Sequence, residues 1–199
     1  MLSNPLGFLF FPHKQWEIVS DAATDKFNAA LPYPIIFALV PALAWYYGTT
    51  QIGWTVADGN VVRLTTDSAL KIVIAFYLAM IFAIIAIGYS IHWMSETYGT
   101  ASSIAKGITI SGYTATPMFI AGILGVYPLL WLDMILGTIA VCWAVYLLFI
   151  GVPIVLKIPE ERGFLYSSAI ISVCLVVLIV LMGFTVILWD NGFMPVFID

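Results

Sequence analysis

Five long apolar blocks alternate with short polar connections along this chain. They run from Pro32 to Tyr47, Ala69 to Met94, Ile104 to Val126, Leu129 to Leu156 and Phe164 to Trp189. A helix crosses the hydrocarbon core of a bilayer in about 20 residues, so each block predicts one transmembrane span. Pro34 and Pro41 interrupt the first and predict a kink or a late start. Tyr127-Pro128 leaves only a very short turn between the third and fourth, which predicts an antiparallel helical hairpin. Pro153 falls near the end of the fourth.

The segments outside these blocks carry different periods. From Phe8 to Ala30, Trp16, Val19, Ala23 and Phe27 recur every three or four residues, with Glu17, Asp21 and Asp25 opposite. This predicts an amphipathic helix that lies in the membrane interface or packs on the protein's own spans. Between spans one and two, Ile52, Trp54 and Val56 alternate, Asp58-Gly59 is a two-residue turn signal, and Val61-Val62 follows. A small extracytoplasmic β-hairpin is expected there, with Trp54 at the interface. The fold class is therefore all-α and polytopic, a single domain over 1–199. An interfacial N-terminal segment covers 1–31 and a five-helix bundle covers 32–199.

Composition narrows the function classes. Of 199 residues, 62% are hydrophobic and only 9% charged, against about 25% in soluble domains, and mean hydropathy is +1.05. An ordinary soluble enzyme is excluded. Net charge is −4, with no basic tract for nucleic acid or anionic lipid. Cys142 and Cys174 sit in apolar runs without metal-ligand spacing and read as small buried residues. The N-terminus lacks a basic region and a cleavage site, so no removable signal peptide is expected. Lys14, Lys26, Lys106, Lys157 and Arg162 fall on one side of a five-span chain, Arg63 and Lys71 on the other. The excess of Lys and Arg on cytoplasmic loops then predicts a cytoplasmic N-terminus and a C-terminus outside, with the hairpin facing the periplasm or a lumen.

Chemistry-bearing residues are few. In span three, Ser111, Gly112, Tyr113, Thr114, Thr116 and Pro117 interrupt an apolar helix. Pro117 cannot donate to the Tyr113 carbonyl, and the freed carbonyl needs a hydroxyl, water or a facing helix. The segment is either a kinked packing contact or a polar binding site. Asp133 is the sole acid within an apolar span and a candidate proton or cation site, unless it is solvated one turn past the bend. Ala75, Ala79 and Ala83 line a small-residue stripe that lets a helix approach closely. Glu160, Glu161 and Arg162 form a charged inside loop, a connector or a partner-docking point. His92 reads as an interfacial anchor beside Trp93, and His13 as solvated. No phosphate-binding loop, nucleophile elbow, zinc-binding helix or dinucleotide fingerprint occurs, so neither catalysis nor a cofactor or metal is expected.

Gly112, Tyr113 and Pro117 form a G-Y-x-x-x-P pattern in the third of five spans. Together with GTTQIGW, ATPMF, YPLLWL and TVILW, this resembles the Yip family of Ypt/Rab-interacting membrane proteins, in its bacterial inner-membrane branch, over nearly the whole chain. The resemblance implies a five-span fold and, from eukaryotic members, adaptor roles through small GTPases or one another. The N-terminal Asp-Leu-Tyr-Gly-Pro motif of those members is not matched at Asn4-Pro5-Leu6-Gly7. Two main functions are expected from this reading: a membrane scaffold associating with itself or other membrane proteins, or a small-solute or ion transporter lined by Tyr113, Thr114, Thr116 and Asp133. Lipid binding is a third.

Overall fold

The computed structural model describes residues 4–23, 26–55 and 61–198. Asp25, Val56 and the Asp58-Gly59 turn lie outside the described residues. The chain opens with α1 (Gly7–Phe10) and α2 (Pro12–Ala22), then α3 (Phe27–Ala30), α4 (Pro32–Phe37) and α5 (Leu39–Tyr47), followed by a π-helical turn over Gly48–Ile52. Proline sets these breaks. Pro34 and Pro41 cannot bond the carbonyls of Ala30 and Phe37 four residues earlier, and α3 and α4 end at those two residues. The broken run still reaches from Phe27 to Ile52, long enough to cross a membrane. Span one therefore starts five residues before the expected Pro32, and Phe27 belongs to it rather than to the amphipathic stripe.

α6 (Thr66–Met94) starts behind Thr65, whose hydroxyl accepts from the Ser68 amide, and Asp67 pairs with Lys71 at 3.0 Å. α7 (Ile104–Thr114) starts behind Ser103, which caps the Lys106 amide in the same way. Such caps satisfy amides that have no partner inside the helix. α8 (Thr116–Ala121) and a 3₁₀ turn over Gly122–Val126 continue α7 at a 42° bend. α9 (Leu130–Leu156) and α10 (Glu160–Leu188) complete the helices. Four runs are long and apolar enough to span a membrane, and the bent α7–α8 pair makes a fifth when taken as one span. Glu160, Glu161 and Arg162 are not loop residues: they form the first turn of α10 behind Pro159, where carboxylates favour the helix dipole.

β1 (Trp54–Thr55) pairs antiparallel with β2 (Val61–Leu64), Trp54 opposite Val62. The sequence did not announce the third strand, β3 (Phe197–Ile198), which pairs with Arg63 and Leu64. Ser68 reinforces that pairing, its hydroxyl donating to the Met194 carbonyl and accepting from the Val196 amide. The C-terminal tail is thus tied to the start of α6.

Packing is concentrated at the opposite end. One core joins Phe8, Trp16 and Val19 to Ile91, Ile110, Leu147, Val152 and Tyr166, and a second joins Ala30 and Ala38 to Ile84, Ala105, Ile108 and Phe119. Trp16 is fully buried against Gly151, and the Ser20 hydroxyl donates to the Ile154 carbonyl. The apolar stripe of α2 is therefore covered by α9, the second of the two arrangements expected for it. Neither cysteine is a core residue: Cys142 is exposed and Cys174 half-buried. On a membrane span the apolar exterior is lipid, so an apolar run does not distinguish inside from outside.

Candidate functional site at the bent third span

At the bend, three hydroxyls form a directional chain. The Thr116 hydroxyl donates to the Tyr113 carbonyl at 2.6 Å, the acceptor that Pro117 leaves free. Having used its one proton there, Thr116 must accept from the Tyr33 hydroxyl, also 2.6 Å away. Span one thereby closes the gap that proline opens in span three. Thr116 and Pro117 are buried. One turn earlier, the Ser111 hydroxyl lies 2.9 Å from the Ile84 carbonyl of α6.

Aromatic rings cover the bend. Tyr113 lies with its centroid 4.0 Å from Tyr33 and 5.2 Å from Phe8, Trp16 meets it edge-on, and Phe37 stacks on Tyr33. Phe8 is fully buried, and its carbonyl accepts from the Trp143 indole at 3.1 Å. Ring pairs at such spacings contribute about 0.5–1.5 kcal/mol beyond their buried area. The N-terminal segment is thus part of the site. Phe8 and Tyr33 went unremarked in the sequence because 105 and 80 positions separate them from Tyr113, beyond any local spacing rule.

The remaining predicted residues disperse. Gly112 faces Pro34 at ordinary contact distance, and the close backbone approaches of this span lie elsewhere, where a Cβ on Gly107 would overlap the Gly88 carbonyl and one on Gly48 the Gly125 carbonyl. Ala75, Ala79 and Ala83 are half-buried on α6. The Thr114 hydroxyl is buried without a partner among the described residues, as is Oδ1 of Asp133. Asp133 stands in the first turn of α9, away from the hydroxyl chain. Glu160 and Glu161 are exposed, and the Arg162 guanidinium lies over Gly99. His92 donates from Nδ1 to the Ser102 carbonyl. Among the described residues no three His, Cys, Asp or Glu side chains come together to hold a metal ion. Beside Pro117 lies an open groove of about 460 Å³, lined by apolar side chains such as Ala121, Leu124, Leu136 and Ala140.

Long apolar helices around a proline-bent span define a polytopic membrane protein. The chain belongs to the Yip1 family: the Yip1 domain matches residues 6–181, a range that takes in the N-terminal segment, the bend and most of α10. It is 32% identical over 192 residues to the inner membrane protein YohC of Escherichia coli K12, covering 96% of this chain and 98% of that one. The YohC protein of Escherichia coli O6:H1 strain CFT073 matches to the same extent. No solved structure matches.

Proposed function

We propose that this protein is a non-enzymatic adaptor or scaffold of the inner membrane, acting through helix–helix contacts with a second copy or with other membrane proteins. One observation carries the reading: the second half of α10 keeps only a narrow half-buried stripe, Cys174, Val177, Leu181 and Leu188, and leaves the rest of its apolar surface outside its own bundle. Leu175, Leu178, Val180, Met182, Phe184 and Ile187 are each more than half exposed, and Gly183 has nothing within 4 Å. A helix at the bundle edge ordinarily buries one side against its neighbours, whereas this half has no fully buried residue. The hydroxyls Ser111 and Thr116 at the bend are meanwhile used internally, which favours a packing role there.

The inner-membrane location follows the name of the relatives, and five spans with the N-terminus in the cytoplasm follow the Lys/Arg asymmetry. In support, Thr100 donates to the Leu156 carbonyl and Tyr98 stacks on Tyr166, which gathers Lys157 and Arg162 beside the α6–α7 connection. The test is photocrosslinking of the full chain in its membrane from positions 180 and 160, with mass spectrometry of the adducts. One dominant protein adduct, lost in Gly183→Leu, is expected. Lipid adducts alone from both positions would overturn the proposal. A transporter is the second reading, favoured by the unpartnered Thr114 hydroxyl on a bent span; solute flux in proteoliposomes that falls in Thr114→Val would replace the first reading with it.

A further inference from the structure

The contacts of the N-terminal segment fix how deep it lies. The Phe8 carbonyl accepts from the Trp143 indole, Trp16 lies against Gly151, and the Ser20 hydroxyl donates to the Ile154 carbonyl. The two numberings rise together, so α1 and α2 run alongside the second half of α9 and parallel to it. α9 ends at Leu156, and Lys157 is the first charge after Asp133. At a rise of about 1.5 Å per residue, Ser20 stands about 3 Å inside that end and Phe8 about 20 Å inside it. α7 gives a second measure. It starts at the same end, since the Thr100 hydroxyl donates to the Leu156 carbonyl. Phe8 stacks on Tyr113, which lies about 14 Å along α7 from Ile104. Both measures put Phe8 near the middle of a hydrocarbon core about 30 Å thick.

The exposed side of the segment changes chemistry along that depth. Leu6, Phe10 and Phe11, at the deep end, are each more than half exposed. Lys14, Glu17 and Asp21 are exposed along α2 as it climbs to the end marked by Lys157. An amphipathic helix lying in the interface turns its apolar face to the lipid. Here that face, Trp16 and Val19, is packed in the protein's own core, and aromatics and charges separate end from end. We propose that α1 and α2 form a re-entrant lipid-contact element that descends through one leaflet to the bilayer midplane. Its partner is the acyl chains of that leaflet, around Leu6, Phe10 and Phe11. Lys14 reaches headgroup level along its methylene stem. Among the described residues, α2 exposes one lysine and two carboxylates beside His13, a balance that gives anionic lipid no hold. The proposal is independent of the adaptor reading, which rests on α10, and of which side of the membrane holds Lys157.

The test is spin labelling of the full chain in phosphatidylcholine vesicles, with and without phosphatidylglycerol. Single labels go to positions 10, 11 and 21 on a background of Cys142→Ala and Cys174→Ala. All three positions are exposed, so the labels displace no packed side chain. Oxygen concentrates in hydrocarbon and a nickel chelate in water, so their relative effects on the label report its depth. Positions 10 and 11 read close to the midplane and position 21 at headgroup level, in both kinds of vesicle. Equal, shallow depths at all three positions would overturn the proposal in favour of a helix lying flat in the interface. Access of the nickel chelate to position 10 would place the segment outside the hydrocarbon and overturn it too. Protection of positions 10 and 11 from both reagents would show that protein, not lipid, covers them. Depths that change with phosphatidylglycerol would overturn the acyl chains as the partner.

Discussion

The third span, Ile104–Val126, carries hydroxyls, glycines and a proline and is bent by 42°, yet it lies at the centre of the packing. The run from Glu160 to Phe193 has the highest mean hydropathy of the four candidate spans, 3.1, and only 6% of its most apolar stretch is buried. In water the ranking would be reversed, because burial follows apolar area. In a bilayer, lipid tails are as apolar as leucine, so apolar area gives one helix no reason to leave lipid for another. Close backbone approach and hydrogen bonds across helices supply the reason instead. Span three has both, at Gly107 against Gly88 and through Ser111 and Thr116. The second half of α10 has neither.

Several substitutions would break or sharpen this contrast. Trp16→Ala removes a fully buried ring that joins α2 to α9 beside the bend. It should cost about 3–5 kcal/mol in equilibrium unfolding of the solubilised protein by SDS; a loss below about 1 kcal/mol would mean that the N-terminal segment is not integral to the core. Gly107→Val forces the α6 and α7 backbones apart and should cost about 1–3 kcal/mol by the same measurement. A neutral result would refute the claim that close approach holds span three.

A double-mutant cycle of Tyr33→Phe and Thr116→Val isolates the hydroxyl chain, with an expected coupling of about 0.6–1.5 kcal/mol. No coupling would show that the two hydroxyls act separately. Gly112→Ala places a methyl at ordinary contact distance from Pro34 and should change stability by less than about 0.5 kcal/mol. Val180→Ala, on the free half of α10, should be as small in stability, within about 0.5 kcal/mol, while weakening association between chains measured by energy transfer in the membrane. A large stability loss there would mean that position 180 packs within the monomer after all.

Local signals in the sequence foretold much of this. Prolines 34, 41 and 117 end helical segments because the missing N–H acts on a carbonyl four residues away. Apolar blocks longer than a bilayer is thick read as spans. The site was legible to the same depth. The residues from Ser111 to Pro117 announced a bend and an orphaned carbonyl, and Thr116 was among the hydroxyls named to satisfy it. Boundaries near charged residues were less legible: Glu160 to Arg162 read as a loop, yet an exposed first turn tolerates them and gains from the carboxylates.

What the sequence by itself determined is the all-α, polytopic class, the proline breaks and the position of the bend, all consequences of chemistry within four residues or of block length. The tertiary structure alone decided what the bend touches. Tyr33 meets Thr116 across 83 positions, Phe8 and Trp16 cover Tyr113, and β3 returns to β2 across more than 130. It also decided which apolar surface is inside. Every face of a membrane helix is apolar, so hydropathy carries no record of its neighbours, and only the placement of small and hydrogen-bonding groups in three dimensions selects among them.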